Sequence, residues 1–282
     1  MKLTNETNLP APLYAAALAA PYSRGESDIS ATALIQPPRK VALEERHAAL
    51  LAMDVSRMGA MIGGNAFHAY VQGDGEWDDA ARLSIRVNGW IVSGQTDHVD
   101  GTKIVDYKTC RASKVAGNLI DEWEKQLNIY AELRRAHGYV VESLEVCAWL
   151  KDWSVEVAER SSGDYPQADL VVVPIPLWDS ARAQAYILER VLLHQEARIS
   201  LPECPEDELW RDKEWAVVKS GAAKAYRTYA TEAEANEALG RMGDGYYVRF
   251  TKQEPRRCRF YCDVGRHGLC AQWNADRERM NG

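Results

Sequence analysis

Between residues 81 and 109 apolar and polar positions alternate in three short runs, the period of half-buried strands, and strands are predicted at about 81–87, 89–97 and 103–109. Asn88-Gly89, between the first two, is a strong signal for a two-residue hairpin, and the Asp100-Gly101 step sets the short turn His98 to Thr102 before the third. Helical spacing flanks these strands. A long pattern over 41–71 is broken at Gly63-Gly64 and ends with His68, and a second helix over 118–137 is stopped by Gly138. Further strands at 143–151 and 169–176 bracket the polar loop Glu159 to Gln167, and a helix over 178–198 follows. Residues 1–40 form a helical and loop segment whose last helix cannot pass Pro37-Pro38. Beyond the loop Leu201-Pro202-Glu203-Cys204-Pro205, strands Trp215–Lys219, Ala225–Tyr229 and Tyr246–Phe250 with a helix over 231–241 spell a small α/β insert at 213–250. The pattern divides the chain into an N-terminal segment, 1–40, a core, 41–200, and a C-terminal region, 201–282.

Composition narrows the class little. A chain of 282 residues with 46 % hydrophobic and 27 % charged positions can bury a large core, as ordinary globular proteins do. No run approaches the roughly 18–20 apolar residues of a membrane helix, and the polar Thr4-Asn5-Glu6-Thr7 does not read as a secretory leader. The expectation is a cytoplasmic protein without a membrane partner. The net charge of −7 argues against a general nucleic-acid binder, but its distribution is uneven. Residues 251–282 hold seven basic side chains (Lys252, Arg256, Arg257, Arg259, Arg266, Arg277, Arg279) against four acidic ones, and Lys103, Lys108, Arg111 and Lys114 surround the third strand. Trp123 and Trp153 read as packing residues, with base stacking the alternative.

The chemistry concentrates in Gly94 to Thr109. On a strand over 103–109, Asp106 and Lys108 leave the same face while Val105 and Tyr107 leave the other, and Asp97 lies across the short turn. Magnesium asks for octahedral oxygen ligands and keeps several waters, so one or two carboxylates and a phosphate oxygen suffice to hold it. Asp97 and Asp106 supply such carboxylates, and Lys108 brings a compact positive charge for a phosphorus centre under attack.

Gly94-x-x-Asp97, then Val105-Asp106-Tyr107-Lys108-Thr109, then Gln126-x-x-x-Tyr130 on a helix, resembles in order and spacing the RecB-like branch of the PD-(D/E)XK nuclease superfamily. Gly63-Gly64-Asn65-Ala66-Phe67-His68 fits that branch's upstream histidine. The resemblance implies an α/β fold, a restriction-endonuclease-like mixed central sheet flanked by helices. It implies a Mg2+ or Mn2+ site on His68, Asp97, Asp106 and the backbone carbonyl of Tyr107, with Lys108 beside the attacking water and Gln126 and Tyr130 lining the site. The implied function is a metal-dependent deoxyribonuclease acting on single-stranded DNA or duplex ends in recombination, repair or phage replication. Alternatives are a sequence-independent endonuclease, an RNA nuclease, and a non-catalytic DNA-binding accessory of a recombinase or helicase. Polarity and oligomeric state leave no signal in the chain.

Six cysteines occur, at 110, 147, 204, 258, 262 and 270. Cys258-x3-Cys262-x7-Cys270 is compressed as metal or cluster ligands are, and such sites take four soft donors. Cys204, in its proline-flanked loop, is the expected fourth, while Cys147 reads as a buried small hydrophobe and Cys110 as packing beside the third strand. Nucleases of the same branch, among them the CRISPR-associated ones, often close their ends with a four-cysteine iron–sulfur cluster. The resemblance therefore implies a [4Fe-4S] cluster on a cysteine-clamped C-terminus, with Zn2+, and His267 in place of one cysteine, as the alternative.

Overall fold

The computed structural model describes residues 2–18, 25–73, 81–161, 163, 165–210, 215–222, 224–229, 231–250 and 254–281. Lys252, counted above among the basic residues, lies outside them. In chain order the elements are β1 (Lys2–Thr4), α1 (Ala11–Leu18), β2 (Ile29–Ser30), α2 (Ala31–Leu34), α3 (Pro38–Arg46), β3 (Ala52–Asp54) and α4 (Gly59–Gln72). They continue with β4 (Leu83–Val87), β5 (Trp90–Gly94), β6 (His98–Asp100), β7 (Lys103–Cys110), α5 (Ala112–Ala116), α6 (Asp121–Ala136), β8 (Ser143–Leu150), α7 (Val155–Arg160), β9 (Leu170–Ile175) and α8 (Ser180–Ile199). Last come β10 (Trp215–Lys219), β11 (Arg227–Tyr229), α9 (Glu232–Leu239), β12 (Tyr246–Phe250), α10 (Asp263–Arg266) and α11 (Ala271–Asn281). The protein is mixed α/β. No helix among the described residues is long and apolar enough to cross a membrane.

Two compact units form, one from Met1–Pro38 with Ala52–Ser200 and one from Arg39–Leu51 with Leu201–Gly282. In the first, a four-stranded mixed sheet runs β6-β7-β8-β9, with β7 and β8 parallel and both outer pairs antiparallel. A separate three-stranded sheet runs β2-β5-β4, so the single central sheet expected from the sequence is two sheets. The physical reason lies after Gly94: residues 95 to 97 leave strand geometry, and β6 restarts at His98 with β7 as its partner. Asp97, expected within a strand, sits in that bend.

Local chemistry accounts for most boundaries. Asn88 (φ 44°) and Gly89 (φ 83°) both take the left-handed conformation that a two-residue hairpin needs, and β4 pairs with β5 directly across them. After α6, Gly138 (φ 85°) donates to Arg135 O and Tyr139 to Arg134 O, the paired bonds of a helix ended by glycine. Pro37-Pro38 separates α2 from α3, Pro38 serving as the first residue of the new helix. The helical pattern over 41–71, expected to break at Gly63-Gly64, breaks earlier, at β3 between two helices, because Ala52–Asp54 pair in parallel with Lys2–Thr4. Gly63-Gly64 does not break α4; a helix interior tolerates glycine at about 1 kcal/mol each. The helix α7, inside the polar stretch after β8, carried no strong periodic signal and is started by the Ser154 side chain accepting from Val157 N.

The core that carries the site is built on α6, which packs against β4 and β5 on one side and β7, β8 and β9 on the other. Ile104, Leu127, Ile129, Leu133, Leu144, Val146 and Leu150 are fully buried there. Trp153 packs against this core; Trp123 is buried in it and also lines the cleft described below. Cys147 departs from expectation. It is half-buried, because in β8 it alternates with the buried Val146 and Ala148 and takes the opposite face.

In the second unit, β11-β10-β12 form an antiparallel sheet covered by α9, with Ala216, Val217, Val218 and Ala235 fully buried. A separate core joins Leu43 and Leu51 to Leu209, Cys258, Cys262, Val264, Cys270 and Trp273, so residues 39–51 pack with the C-terminal segment although the sequence pattern runs them on into 52–71.

Ile104 lies in β7 two residues before Asp106, wholly buried. Ile104→Ala is expected to lower the stability of the first unit by about 2–5 kcal/mol. Denaturant unfolding should show the midpoint falling at unchanged slope; a shift too small to resolve would mean that β7 does not anchor this core.

Candidate active site and thiol centre

β7 is the platform. Its alternation sends Ile104, Asp106 and Lys108 towards α6, while Tyr107 faces the other way and meets Phe67 of α4 edge-on at a centroid distance of 6.1 Å. Asp106 is 1 % exposed, and Lys108 Nζ stands 2.5 Å from its Oδ2. Lys108 is the partner of this buried oxygen, as ion pair and hydrogen-bond donor together. Burial would weaken the Lys108 ammonium, but the charges of Asp106 and Asp97 outweigh it and hold its pKa at about 12.

Asp97 reaches the same place from the bend before β6. Its Oδ2 accepts from Tyr107 N at 2.9 Å and lies 3.5 Å from His68 Nδ1. Burial, reinforced by the negative charge of Asp106, pushes the Asp97 carboxyl up to about 7, against the pull of Lys108 and the Tyr107 N–H. His68 stands near the end of α4, which packs on β7. Burial lowers its pKa, despite the attraction of Asp106, so the ring is neutral at pH 7 and offers a lone pair. Gln126 and Tyr130, one turn apart on α6, are both buried, and Gln126 Nε2 donates to the Tyr130 hydroxyl at 2.7 Å. Burial lifts that hydroxyl to about 12, which keeps it a phenol able to donate.

All six side chains line one cleft of about 580 Å³ within the first unit. Tyr107, expected to offer its carbonyl, is not among the lining residues: its ring packs on Phe67, and its N–H donates to Asp97. The cleft also holds residues that the sequence reading passed over: Asn65, Arg82, Thr96 and Glu122. Arg82 brings a second cation and donates from Nη1 to Ser93 Oγ at 3.1 Å. It was findable, since the Asn88-Gly89 hairpin places Leu83 opposite Gly94 and so Arg82 one step further along the same edge.

Gly94 has a packing reason of its own. A Cβ there would stand 2.7 Å from the Tyr130 ring and 2.8 Å from Leu133 Cδ1, so the missing side chain lets α6 close onto β5 and seat Tyr130.

The thiol centre belongs to the second unit. Cys258 lies in a π-helical segment, Arg257–Tyr261, Cys262 caps α10, and Cys270 immediately precedes α11; all three are buried. Cys204 packs against the same cluster. Gln272 fixes it in both directions, accepting from Cys204 N at 2.9 Å and donating to Cys204 O at 3.0 Å. The chain folds back so tightly that a Cβ on Gly265 would lie 2.6 Å from Cys258 O. None of the six cysteines is disulfide-bonded. Burial drives the Cys204 thiol up to about 12, with Glu208 and the other three thiols adding to the shift.

Among the described residues no three His, Cys, Asp or Glu side chains are already set as a metal cage. The donor chemistry fits metals nonetheless. The cleft offers two carboxylates and a neutral imidazole, which suits a hard divalent ion. The second unit offers four reduced thiols in one buried cluster, which suits zinc or iron. Compared with known protein families and with curated proteins, the chain matches none.

Two glycine substitutions separate packing from freedom. Gly94→Ala is expected to cost about 1–3 kcal/mol by forcing Tyr130 aside. Gly63→Ala, whose Cβ meets nothing within 4 Å in α4, should instead be neutral or stabilise by up to about 1 kcal/mol. Thermal melts of the pair check both signs, and a harmless Gly94→Ala would refute the close approach of α6.

Proposed function

We propose that the first unit is a metal-dependent nuclease of the PD-(D/E)XK kind, hydrolysing phosphodiester bonds in DNA as an exonuclease or end-processing enzyme. One observation carries the reading: two carboxylates, a neutral histidine and a lysine converge on one cleft, with the lysine touching the more buried acid. A protein gains no stability from burying Asp106 under an ammonium when a hydrophobic pair would serve as well, so the arrangement points to chemistry.

His68, Asp97 and Asp106, with the Tyr107 carbonyl, are the residues to hold Mg2+ or Mn2+. Such an ion supplies Lewis acidity at the phosphate and a more acidic water. The protein does the rest. Lys108, with a pKa near 12, remains an ammonium at neutral pH; its part is to orient the attacking water and stabilise charge growing on the phosphoryl oxygens, not to remove a proton. Gln126 and Tyr130 stand where they can donate to the substrate backbone, and Arg82 adds a second cation for a neighbouring phosphate. The four cysteines of the second unit are read as a structural centre, a [4Fe-4S] cluster or Zn2+, which would stiffen the loop of more than fifty residues between Cys204 and Cys258.

Asp106→Asn keeps the shape of the side chain and removes its charge. It should cut turnover of labelled single- and double-stranded DNA in magnesium by at least about a thousandfold, with the circular dichroism spectrum unchanged; wild-type turnover in this variant, or none in the native protein, would leave the cleft a binding site at most.

Asp97 sets the pH dependence. Its folded pKa of about 7 stands above the roughly 3.9 of an unfolded aspartate, so across that window the folded metal-free chain holds a proton that the unfolded chain has lost. Metal-free stability therefore falls as pH rises through the window, and an incoming cation must displace the proton. The thermal stabilisation given by saturating Mg2+ should grow from about pH 6 to about pH 8; equal stabilisation at both would remove Asp97 from the ligand set.

A further inference from the structure

The second unit buries an arginine whose charge is unanswered. Arg39, on α3, is 9 % exposed. Its Nε donates to Cys270 Sγ at 3.4 Å, and its Nη1 donates to the carbonyls of Leu201 and, at 3.4 Å, Pro202. These partners are a thiol and two carbonyls, all neutral. Among the described residues no carboxylate is paired with Arg39. The acids Glu44, Asp263 and Asp276 are instead engaged by Lys40, Arg266 and Arg279.

A guanidinium cannot shed its proton, so burial without a counter-charge is costly and calls for an explanation. The surroundings supply one. Cys270 and the Leu201-Pro202 loop that leads to Cys204 are the two segments the guanidinium joins, and Cys258 and Cys262 complete the same buried cluster. Four thiols that bind a metal do so as thiolates. Around a divalent ion, or a cluster core of equal charge, they leave about two negative charges in a low-dielectric site.

We infer that Arg39 is the built-in counter-charge of a dianionic tetrathiolate centre on Cys204, Cys258, Cys262 and Cys270. It acts as a positioning residue, donating one N–H to the Cys270 sulfur while tying down the Cys204 loop. The inference rests on reading these four cysteines as metal ligands. It goes further in fixing the sign and size of the charge at the centre and in assigning the compensating residue to a helix more than 150 residues away in sequence. The choice of arginine follows from geometry, since a planar fork can address sulfur through Nε and carbonyls through Nη1 together, whereas a lysine presents one point charge. His267 adds no thiolate to this count. It is exposed, with Nδ1 2.8 Å from Asp263 O.

The test begins with the full chain purified without oxygen and assayed for iron, acid-labile sulfide and zinc. A native protein that carries and accepts none of these removes the centre and the inference with it. If the native protein holds metal, Arg39→Met and Arg39→Lys are compared in competition with a chelator. Met matches arginine in buried volume and carries no charge, and it is expected to weaken metal retention by about 10–100-fold, the usual effect of losing a residue that orients a ligand. Lys keeps the charge and should hold metal better than Met. In the metal-free chain Arg39→Met should leave the unfolding midpoint unchanged or raised, since it removes an uncompensated cation. Equal retention in Met and Lys variants, or equal destabilisation with and without metal, would make Arg39 a packing residue and overturn the counter-charge while leaving the metal centre standing. Should the Met variant fail to fold, Arg39→Gln, which keeps hydrogen-bonding groups and removes the charge, takes its place: weaker retention than in Arg39→Lys at unchanged metal-free stability supports the role, and retention equal to that of Arg39→Lys overturns it.

Discussion

A carboxylate 1 % exposed to solvent, held against an ammonium at 2.5 Å, is the constraint around which the first unit is organised. Neither charge survives burial alone. Asp106 needs Lys108 or a cation, and Lys108 keeps its proton because Asp106 and Asp97 surround it. Asp97 takes the strain that remains. With one ionised acid already beside it in a poorly solvated cleft, its own carboxyl retains a proton to about neutral pH.

The rest of the unit holds this arrangement in place. Ile104 pins β7 into the core, α6 covers the Asp106 face with Gln126 and Tyr130, and α4 covers the opposite face through Phe67 while bringing His68 round to Asp97. The Tyr107 N–H to Asp97 bond ties the bend before β6 to β7, so the two acids are positioned by backbone as well as by packing. Asn128, fully buried on α6, donates to Pro176 O and accepts from Trp178 N, locking the helix to the segment after β9. The second unit repeats the logic with the opposite sign: a buried cation, Arg39, among thiols whose ionised form would satisfy it. In both places the buried charge is the feature that packing alone does not explain.

Much of the arrangement was legible in the chain. The Asn88-Gly89 hairpin, the end of α6 at Gly138 and the strand holding Asp106 and Lys108 on one face follow from local rules, because turn conformation and side-chain alternation depend on neighbours in sequence. Short-range pattern also brought Gln126 and Tyr130 together, one helical turn apart. Where reasoning from pattern failed, long-range pairing had intervened. Ala52–Asp54 look helical from composition and become a strand only because Lys2–Thr4 lie alongside. Cys147 looks interior by hydropathy and is half-exposed because the neighbours on its face of β8 do not cover it.

The sequence by itself determined which residues can do chemistry, the strand that presents two of them, and the turns that bring the chain back, since each depends on spacing of a few residues. Only the tertiary structure decided that Asp97 sits in a bend with its carboxyl raised, that Gly94 is empty to admit Tyr130, that Arg82 joins the cleft, and that Arg39 reaches Cys270. The reason is physical. Desolvation and Coulomb interaction depend on what surrounds a group in three dimensions, and segments far apart in the chain supply most of those surroundings.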